Sequence, residues 1–431
     1  MPELTSPLQI AEYRRFWLAR LLAVFSTVSM VVLIGYQTYD LARSDYGMSP
    51  KDAAFILGLL GAAQFIPLAL LTPIAGVAAD RFDRRRVVLC ATLVDAVIAL
   101  IVAVATLQGW LSLPLLFILA AGHGAARVFN GPALSAIAPN IVPPHLLPRA
   151  IALGSIAWQV GSVVGPALGG ILFAAHPSAP YFLSALLLVG TGLVVQTIRP
   201  IKARQDGPPP HPFRQIAEGF SFVKRERFLL GCITLDLFAV LLGGATAMLP
   251  VFARDILMVG PEGLGLMRGA PAAGAALVAA YLSFRPFEHN VGAKMLWAVV
   301  VFGVATIVFA YSRSFYLSLG ALGLLGAADM ISVFIRSSLV QLNTPDDKRG
   351  RVSAISGLAI SASNELGELQ SGLAAAVLGA TAAVALGGAG AIIVTGLWAW
   401  IFPELRRART FAPKYLHTDD EFRDNAKEPV T

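Results

Sequence analysis

Apolar runs of membrane-spanning length, each closed off by glycine, proline or charged residues, recur from one end of the chain to the other. They fall near 16–39, 53–75, 87–107, 112–137, 149–175 and 180–198, and again near 227–252, 262–283, 294–311, 315–341, 351–378 and 382–402. A helix needs about 20 mostly apolar residues, at about 1.5 Å each, to cross a bilayer. Backbone amides in hydrocarbon must bond within their own segment, so these runs are helices. The short alternating segments of a β-barrel do not occur. The pattern predicts an all-α membrane protein with twelve transmembrane helices in two six-helix bundles. The first bundle takes residues 1–198 and the second 227–402. A connection, 199–226, joins them, and a polar tail, 403–431, follows.

Composition fits this class. Of 431 residues 56% are hydrophobic and only 14% are charged, against about 25% charged in a soluble domain. The net charge of +7 raises a nucleic-acid partner, but the basic residues sit in short loops between apolar helices and not in a basic domain. The lipid bilayer is the partner they imply. With the N-terminus in the cytoplasm, only Arg43, Lys51, Arg254 and Arg313 fall on the outer face, and Arg127, Arg268 and Arg336 fall inside helices. Every other Lys and Arg is cytoplasmic, so both termini are placed inside. Met1 to Tyr13 is polar and reads as no removable signal, so the first helix stays as an anchor. Cys90 and Cys232 form no disulfide or metal pattern. The histidines (123, 145, 176, 211, 289, 417) are scattered, and no HExxH, GxSxG or phosphate-binding loop occurs. The sequence therefore predicts no enzyme, no metal and no cofactor.

Within the connection, Gly207-Pro208-Pro209-Pro210 cannot be helix interior. Phe213, Ile216, Phe220 and Val223 then recur at helical spacing, which predicts a short helix on the cytoplasmic membrane surface. The two halves echo each other. Gly124-Ala125-Ala126-Arg127 matches Gly326-Ala327-Ala328-Asp329, and at the same offset Pro143 matches Pro345 and Arg149 matches Arg351.

The buried polar residues carry the candidate chemistry. A charge near mid-membrane costs at least about 2.5–3.5 kcal/mol, so Arg127 must face a cavity or a partner. His123 lies one turn earlier on the same face. In helix 11, Glu365 and Glu368 are three apart and share a face. Two nearby carboxylates repel when both ionise, which suits one of them to carry a proton. Asp236 in helix 7, Asp329 in helix 10 and Asp95 in helix 3 are further candidates. Arg336 lies on the same stripe as Asp329. Asn130, Gln159, Trp158 and Asn364 are candidate cavity residues. In helix 5, Gly161, Gly165, Gly169 and Gly170 make a flat face for close helix contact around a bend at Pro166.

The turn Gly76-Val77-Ala78-Ala79-Asp80-Arg81-Phe82-Asp83-Arg84-Arg85-Arg86 resembles the loop between helices 2 and 3 of the major facilitator superfamily. Asn130-Gly131-Pro132-Ala133, Arg149-Ala150-Ile151-Ala152-Leu153, Gly165-Pro166-Ala167-Leu168-Gly169-Gly170 and Arg349-Gly350-Arg351-Val352 extend the resemblance. Together they point to the branch with the enterobactin exporter and macrolide efflux pumps. The resemblance implies a cytoplasmic gate at Asp80 and Arg81, supported by Arg84 and Arg85, with Gly76 letting helices 2 and 3 approach closely. Asp83 stands where the family has Gly, and Asp tolerates the left-handed turn expected there. A weaker copy of the turn lies at Phe284-Arg285-Pro286-Phe287. The resemblance implies an exporter pattern in helix 5 and a proton-coupling role for Arg127. It thus implies a monomeric exporter of an amphipathic small molecule, siderophore or drug-like. This exporter would work in the bacterial inner membrane by proton antiport, with the proton gradient as its energy source. A proton-linked importer or a facilitator of a small nutrient remains the alternative.

Overall fold

Side-chain caps and a left-handed glycine fix the ends of two of the N-terminal helices. The computed structural model describes residues 6–201 and 212–411, apart from Ala136, Pro286, Glu288, Asp346 and Asp347. The N-terminal half contains α1 (Ala11–Ser44), α2 (Pro50–Arg81), α3 (Arg84–Gln108), α4 (Leu113–Ser135), α5 (Leu147–Ala175) and α6 (Ala179–Gln196). The C-terminal half contains α7 (Arg227–Leu242), α8 (Gly260–Phe284), α9 (Val291–Tyr311), α10 (Phe315–Leu342), α11 (Arg349–Leu378) and α12 (Ala380–Ile401). Ser49 caps α2 by accepting the Asp52 backbone N–H, and Pro50 occupies the first helical position, where a missing N–H costs nothing. Gly109, at φ +73°, ends α3 in the left-handed conformation that glycine adopts without strain.

Among the described residues, eleven helices are long and apolar enough to cross a membrane. The twelfth, α11, is 30 residues long but carries Asn364, Glu365 and Glu368 among its serines. It lies between the halves, packed along α2, where Glu365 and Ser371 are buried against protein. The seventh span also departs from the single helix expected over 227–252. It breaks at Gly243-Gly244, where the Ser371 hydroxyl and the Gly367 carbonyl of α11 take the space a Gly244 side chain would need. The chain continues through a 3-10 turn, Ala245–Met248, to a π-helical turn, Phe252–Ile256. Discontinuous spans are a recurrent feature of transporter binding regions.

The helix neighbours repeat between halves. α2 packs on α4 as α8 packs on α10, α3 on α6 as α9 on α12, and α1 on α5 as α7 on α11. The halves meet where α2 runs along α11 and α5 along α8. Small residues make the closest approaches. Gly274 of α8 lies against the Gly323 carbonyl of α10, with no room for a Cβ. Gly274→Val is expected to lower stability by about 1–3 kcal/mol through overpacking. Thermal unfolding of the purified variant checks this, and an unchanged melting temperature would show that the two helices part freely there.

The expected linker helix forms at Pro212–Arg225. The side chains of Phe213 and Ile216 lie outside the described residues. Val223 is buried in the core of the C-terminal half, and Phe220 is exposed. Glu218 pairs with Arg351 at 3.6 Å, and Lys348 sits over the Phe222 ring. This helix therefore packs on the start of α11, and of the four residues in the expected apolar stripe Phe220 is the one shown exposed among the described residues. The tail packs further than its first turn. Gly292 donates its N–H to the Ala408 carbonyl at 2.9 Å, and Phe411 meets Phe334 edge-on.

Candidate functional site: a charged cavity between the halves

Arg127 of α4 reaches across to α11, where its guanidinium lies 3.5 Å from a Glu365 carboxylate oxygen. The side chains are 29% and 10% exposed, so the pair is screened from bulk solvent. It links the two halves. One turn along α11, Glu368 lines a cavity of about 40 Å³ with Gly35, Leu60 and Gln64 of the N-terminal half and Thr246 and Arg268 of the C-terminal half. Gly61 makes room for Glu368. A Cβ there would sit 3.1 Å from a carboxylate oxygen. Gly124, one turn before Arg127, packs on the Gln64 backbone and sets the spacing of α4 from α2. The break in α7 supplies Thr246. Two guanidinium groups and two carboxylates thus converge from α4, α8 and α11, and their charges balance when both acids are ionised.

Arg268 belongs to this group although its sequence context gave it no role. The available signal was a lone Arg inside an apolar helix, which by default marks a functional position. Gln64 is buried and lines the same cavity, with no sequence motif to mark it.

Other buried charges lie elsewhere. Asp236 of α7 pairs with Arg336 of α10, a bond within the C-terminal half, so neither residue joins the central group. Arg336 shares a stripe with Asp329 but pairs with Asp236. Asp329 is half-buried and forms no ion pair among the described residues. His123 does not share the surroundings of Arg127. Its Nδ1 lies 2.5 Å from Asp95 of α3, and both side chains are fully buried. Asn130 is buried with its amide oxygen unpartnered among the described residues, whereas Asn364 is exposed. Gln159 donates to the Ala272 carbonyl of α8 at 3.0 Å, a contact between halves. Trp158 is half exposed.

On the face opposite the termini, α1 is tied to the π-helical turn. Asp255 accepts hydrogen bonds from the Tyr39 hydroxyl at 2.7 Å and Arg43 Nε at 3.0 Å. Arg254 reaches back to Asp40 at 2.6 Å and donates to the Ser44 hydroxyl at 2.7 Å. Lys51 donates to the Val377 carbonyl at 2.8 Å, joining α2 to the end of α11. π-Turns concentrate at functional sites, and this one holds the two halves together. Arg43, Lys51 and Arg254 read in the sequence only as topology markers.

The α2–α3 turn is shorter than expected, because α2 continues through Asp80 and Arg81 and only Phe82 and Asp83 lie outside helix. The side chain of Asp80 lies outside the described residues, and Arg81 is exposed. Gly76 has open space where a Cβ would be, so it does not bring α2 and α3 together. Asp83 is not left-handed. At φ −58° it caps α3 by accepting the Arg85 N–H, which explains why glycine is dispensable there. Arg85 pairs with Asp83 at 2.7 Å and donates to the Ile198 carbonyl at 2.6 Å, and Arg84 donates to the Ala79 carbonyl. These bonds staple the loop to the end of α6. Burial raises the Asp83 carboxyl, but hydrogen bonds from Arg85 and the charges of Arg85 and Arg86 outweigh it and hold the group below its usual range. A depressed native value stabilises the fold above the unfolded carboxylate pKa, and that stabilisation is lost as pH falls through the native value. Asp83→Ala is expected to cost about 1 kcal/mol at neutral pH and nothing once the carboxyl is protonated. Thermal unfolding at neutral and strongly acidic pH checks this, and an equal cost at both would remove the charge from the explanation.

The small face of α5 serves two partners. Gly161, Gly165 and Gly169 pack on Val24, Phe25 and Ser29 of α1, whereas Gly170 meets Pro261 and Gly265 of α8 across the halves. Pro166 sits inside α5 without ending it, and its carbonyl lies against Gly265.

A family profile described as transmembrane secretion effector matches residues 3–421. The enterobactin exporter EntS of Escherichia coli O1:K1 is 24% identical over 411 residues, covering 94% of this chain and 95% of the relative. EntS of Citrobacter koseri is 25% identical over 405 residues, covering 93% and 94%. Among solved structures, the nucleoside transporter NupG superposes with a TM-score of 0.70 at 14% identity, covering 91% of this chain and 99% of NupG. That likeness gives the major facilitator fold.

Proposed function

We propose that this chain, which belongs to the transmembrane secretion effector family of major facilitator transporters, exports an amphipathic small molecule, siderophore-like or drug-like, in exchange for protons. Membership makes it a multi-pass secondary transporter that moves a small-molecule substrate, not an enzyme. Direction, coupling and cargo are our reading. It places the chain in a bacterial inner membrane with both termini in the cytoplasm, because nearly all loop Lys and Arg lie on the termini-bearing face.

The observation that carries the reading is the Arg127–Glu365 pair between halves, with Glu368 one turn away in the cavity and Arg268 facing it. A proton on either carboxylate leaves a guanidinium without its counter-charge and weakens the hold of one half on the other. Protonation state and the relative position of the halves are thereby linked, and such coupling is reciprocal. Gln159 and Asn130 offer hydrogen bonds to cargo, and the exposed Asn364 borders the path. The ties among Tyr39, Asp40, Arg43, Arg254 and Asp255 hold the outer face shut while cargo enters from the cytoplasm or inner leaflet. On this reading Asp236 and Arg336 brace the C-terminal half, and Asp80 with Arg81 closes the inner face in the opposite state.

Inside-out vesicles test direction and coupling together. Imposing a proton gradient is expected to drive substrate into the vesicle lumen, and an uncoupler is expected to end accumulation. Uphill transport at zero proton gradient would refute antiport. Substrate running down toward the medium with protons would make the chain an importer.

A further inference from the structure

We infer that the outer flank of the C-terminal half holds an anionic phospholipid from the leaflet on the termini-bearing side. Helices α8 and α10 are in backbone contact at Gly274 and Gly323. Between them lies a groove of about 550 Å³ whose lining includes Leu277, Val278, Tyr281, Phe287, Ala327 and Ile331. The lining is apolar apart from the Tyr281 hydroxyl. Leu277 is 75% exposed and Tyr281 56% exposed, so within a bilayer the groove faces acyl chains. One acyl chain is the occupant its volume and apolarity fit.

The rim fixes the headgroup. Phe287 lines the groove, and the Lys294 ammonium lies 4.4 Å from its ring centroid. Arg285, which follows the end of α8, is exposed, and no carboxylate pairs with Arg285 or Lys294 among the described residues, Glu288 lying outside them. Phe284, just before it, is 85% exposed, an aromatic at the depth where headgroups begin. This is the weak copy of the α2–α3 turn. It lacks the Asp-Arg pair of the first copy but keeps a base beside two aromatic rings. Lys294 on the Phe287 ring, with Arg285 in the chain between the lining residues Tyr281 and Phe287, matches a phosphate above an acyl chain, and basic side chains at an anionic membrane surface each contribute about 1 kcal/mol.

The full chain, delipidated in detergent and incubated with phosphatidylglycerol or phosphatidylcholine, tests this by native mass spectrometry. Wild type is expected to retain phosphatidylglycerol with a preference of about 30-fold, the equivalent of the two basic contacts. The double variant Arg285→Gln/Lys294→Gln is expected to lose that preference. Leu277→Trp, at an exposed position where folding is not at risk, is expected to lose retention of both lipids by filling the slot. Equal retention of the two lipids by wild type, unchanged preference in the double variant, or release of the lipid by glycerol phosphate alone would each overturn the inference. Export is not read in this experiment, so its outcome is independent of the antiport proposal.

Discussion

Glu368→Gln is expected to cut uphill efflux sharply while leaving substrate exchange across the membrane intact. The substitution keeps the volume of the side chain, which matters because Gly61 packs directly against it. It also leaves the Arg127–Glu365 pair in place, so the halves remain linked and the fold is retained. What it removes is the acid that faces Arg268 across the cavity. Coupling free energies of about 1–3 kcal/mol correspond to about 5–150-fold, and a loss in that range is expected for proton-driven accumulation in vesicles. Counterflow, which needs no proton, should stay near the wild-type rate. Glu365→Gln should behave differently, because it breaks the bond between halves as well as removing an acid, and both readouts should change. Wild-type accumulation in the two single variants and in the double variant would take α11 out of the coupling and leave the cluster with a packing role.

The all-helical architecture and the order of the long helices were legible in the sequence because they depend on short-range periodicity and on the cost of exposed backbone in lipid. Helix α11 was legible for the same reason, although it is the least apolar of the twelve. Arg127, Glu365 and Glu368 could be singled out because charge inside an apolar helix is costly anywhere. Which charges meet was a different matter. Arg336 lies two turns from Asp329 on one helix, yet its partner is Asp236 on another, because the rotation of α10 against α7 decides the pairing and no single-helix pattern records it. His123 turned to Asp95 rather than to Arg127 for the same reason. The break in α7 had a visible cause in Gly243-Gly244, but the other two glycine pairs, Gly169-Gly170 and Gly387-Gly388, lie inside unbroken helices. Only the Ser371 hydroxyl and Gly367 carbonyl packed against that break make the irregular backbone necessary. The turn at Asp83 shows a further limit. A motif position can be filled by a residue that solves the problem differently, here by capping a helix in place of adopting a left-handed conformation.

Replacing Arg254 with Gln and Asp255 with Asn together is expected to open the outer face. One cation and one anion are removed, so net charge is unchanged and any effect comes from the lost contacts. Those contacts are the Asp255 bonds to Tyr39 and Arg43 and the Arg254 bonds to Asp40 and Ser44. A single substitution is a weaker test, because Arg43 can turn toward Asp40 when Asp255 is lost. Hydrogen bonds to charged groups contribute about 1.5–3 kcal/mol each, and re-solvation of the freed partners returns much of that. A shift of about 1.4–2.8 kcal/mol, or about 10–100-fold toward the outward-open state, is the expected net result. Ala54 reports it well. It is 1% exposed and its carbonyl packs on Gly372 of α11, so a cysteine placed there is shielded while the halves are closed. Labelling of Ala54→Cys by a membrane-impermeant maleimide, with Cys90 and Cys232 removed, should accelerate by the same factor in the double variant. Efflux should fall in parallel, since a transporter resting outward-open collects less cargo from the cytoplasm. Unchanged labelling would mean that the α2–α11 and α5–α8 contacts close this face unaided, and the ionic ties on the π-turn would then be ornament to a seal made by glycine packing.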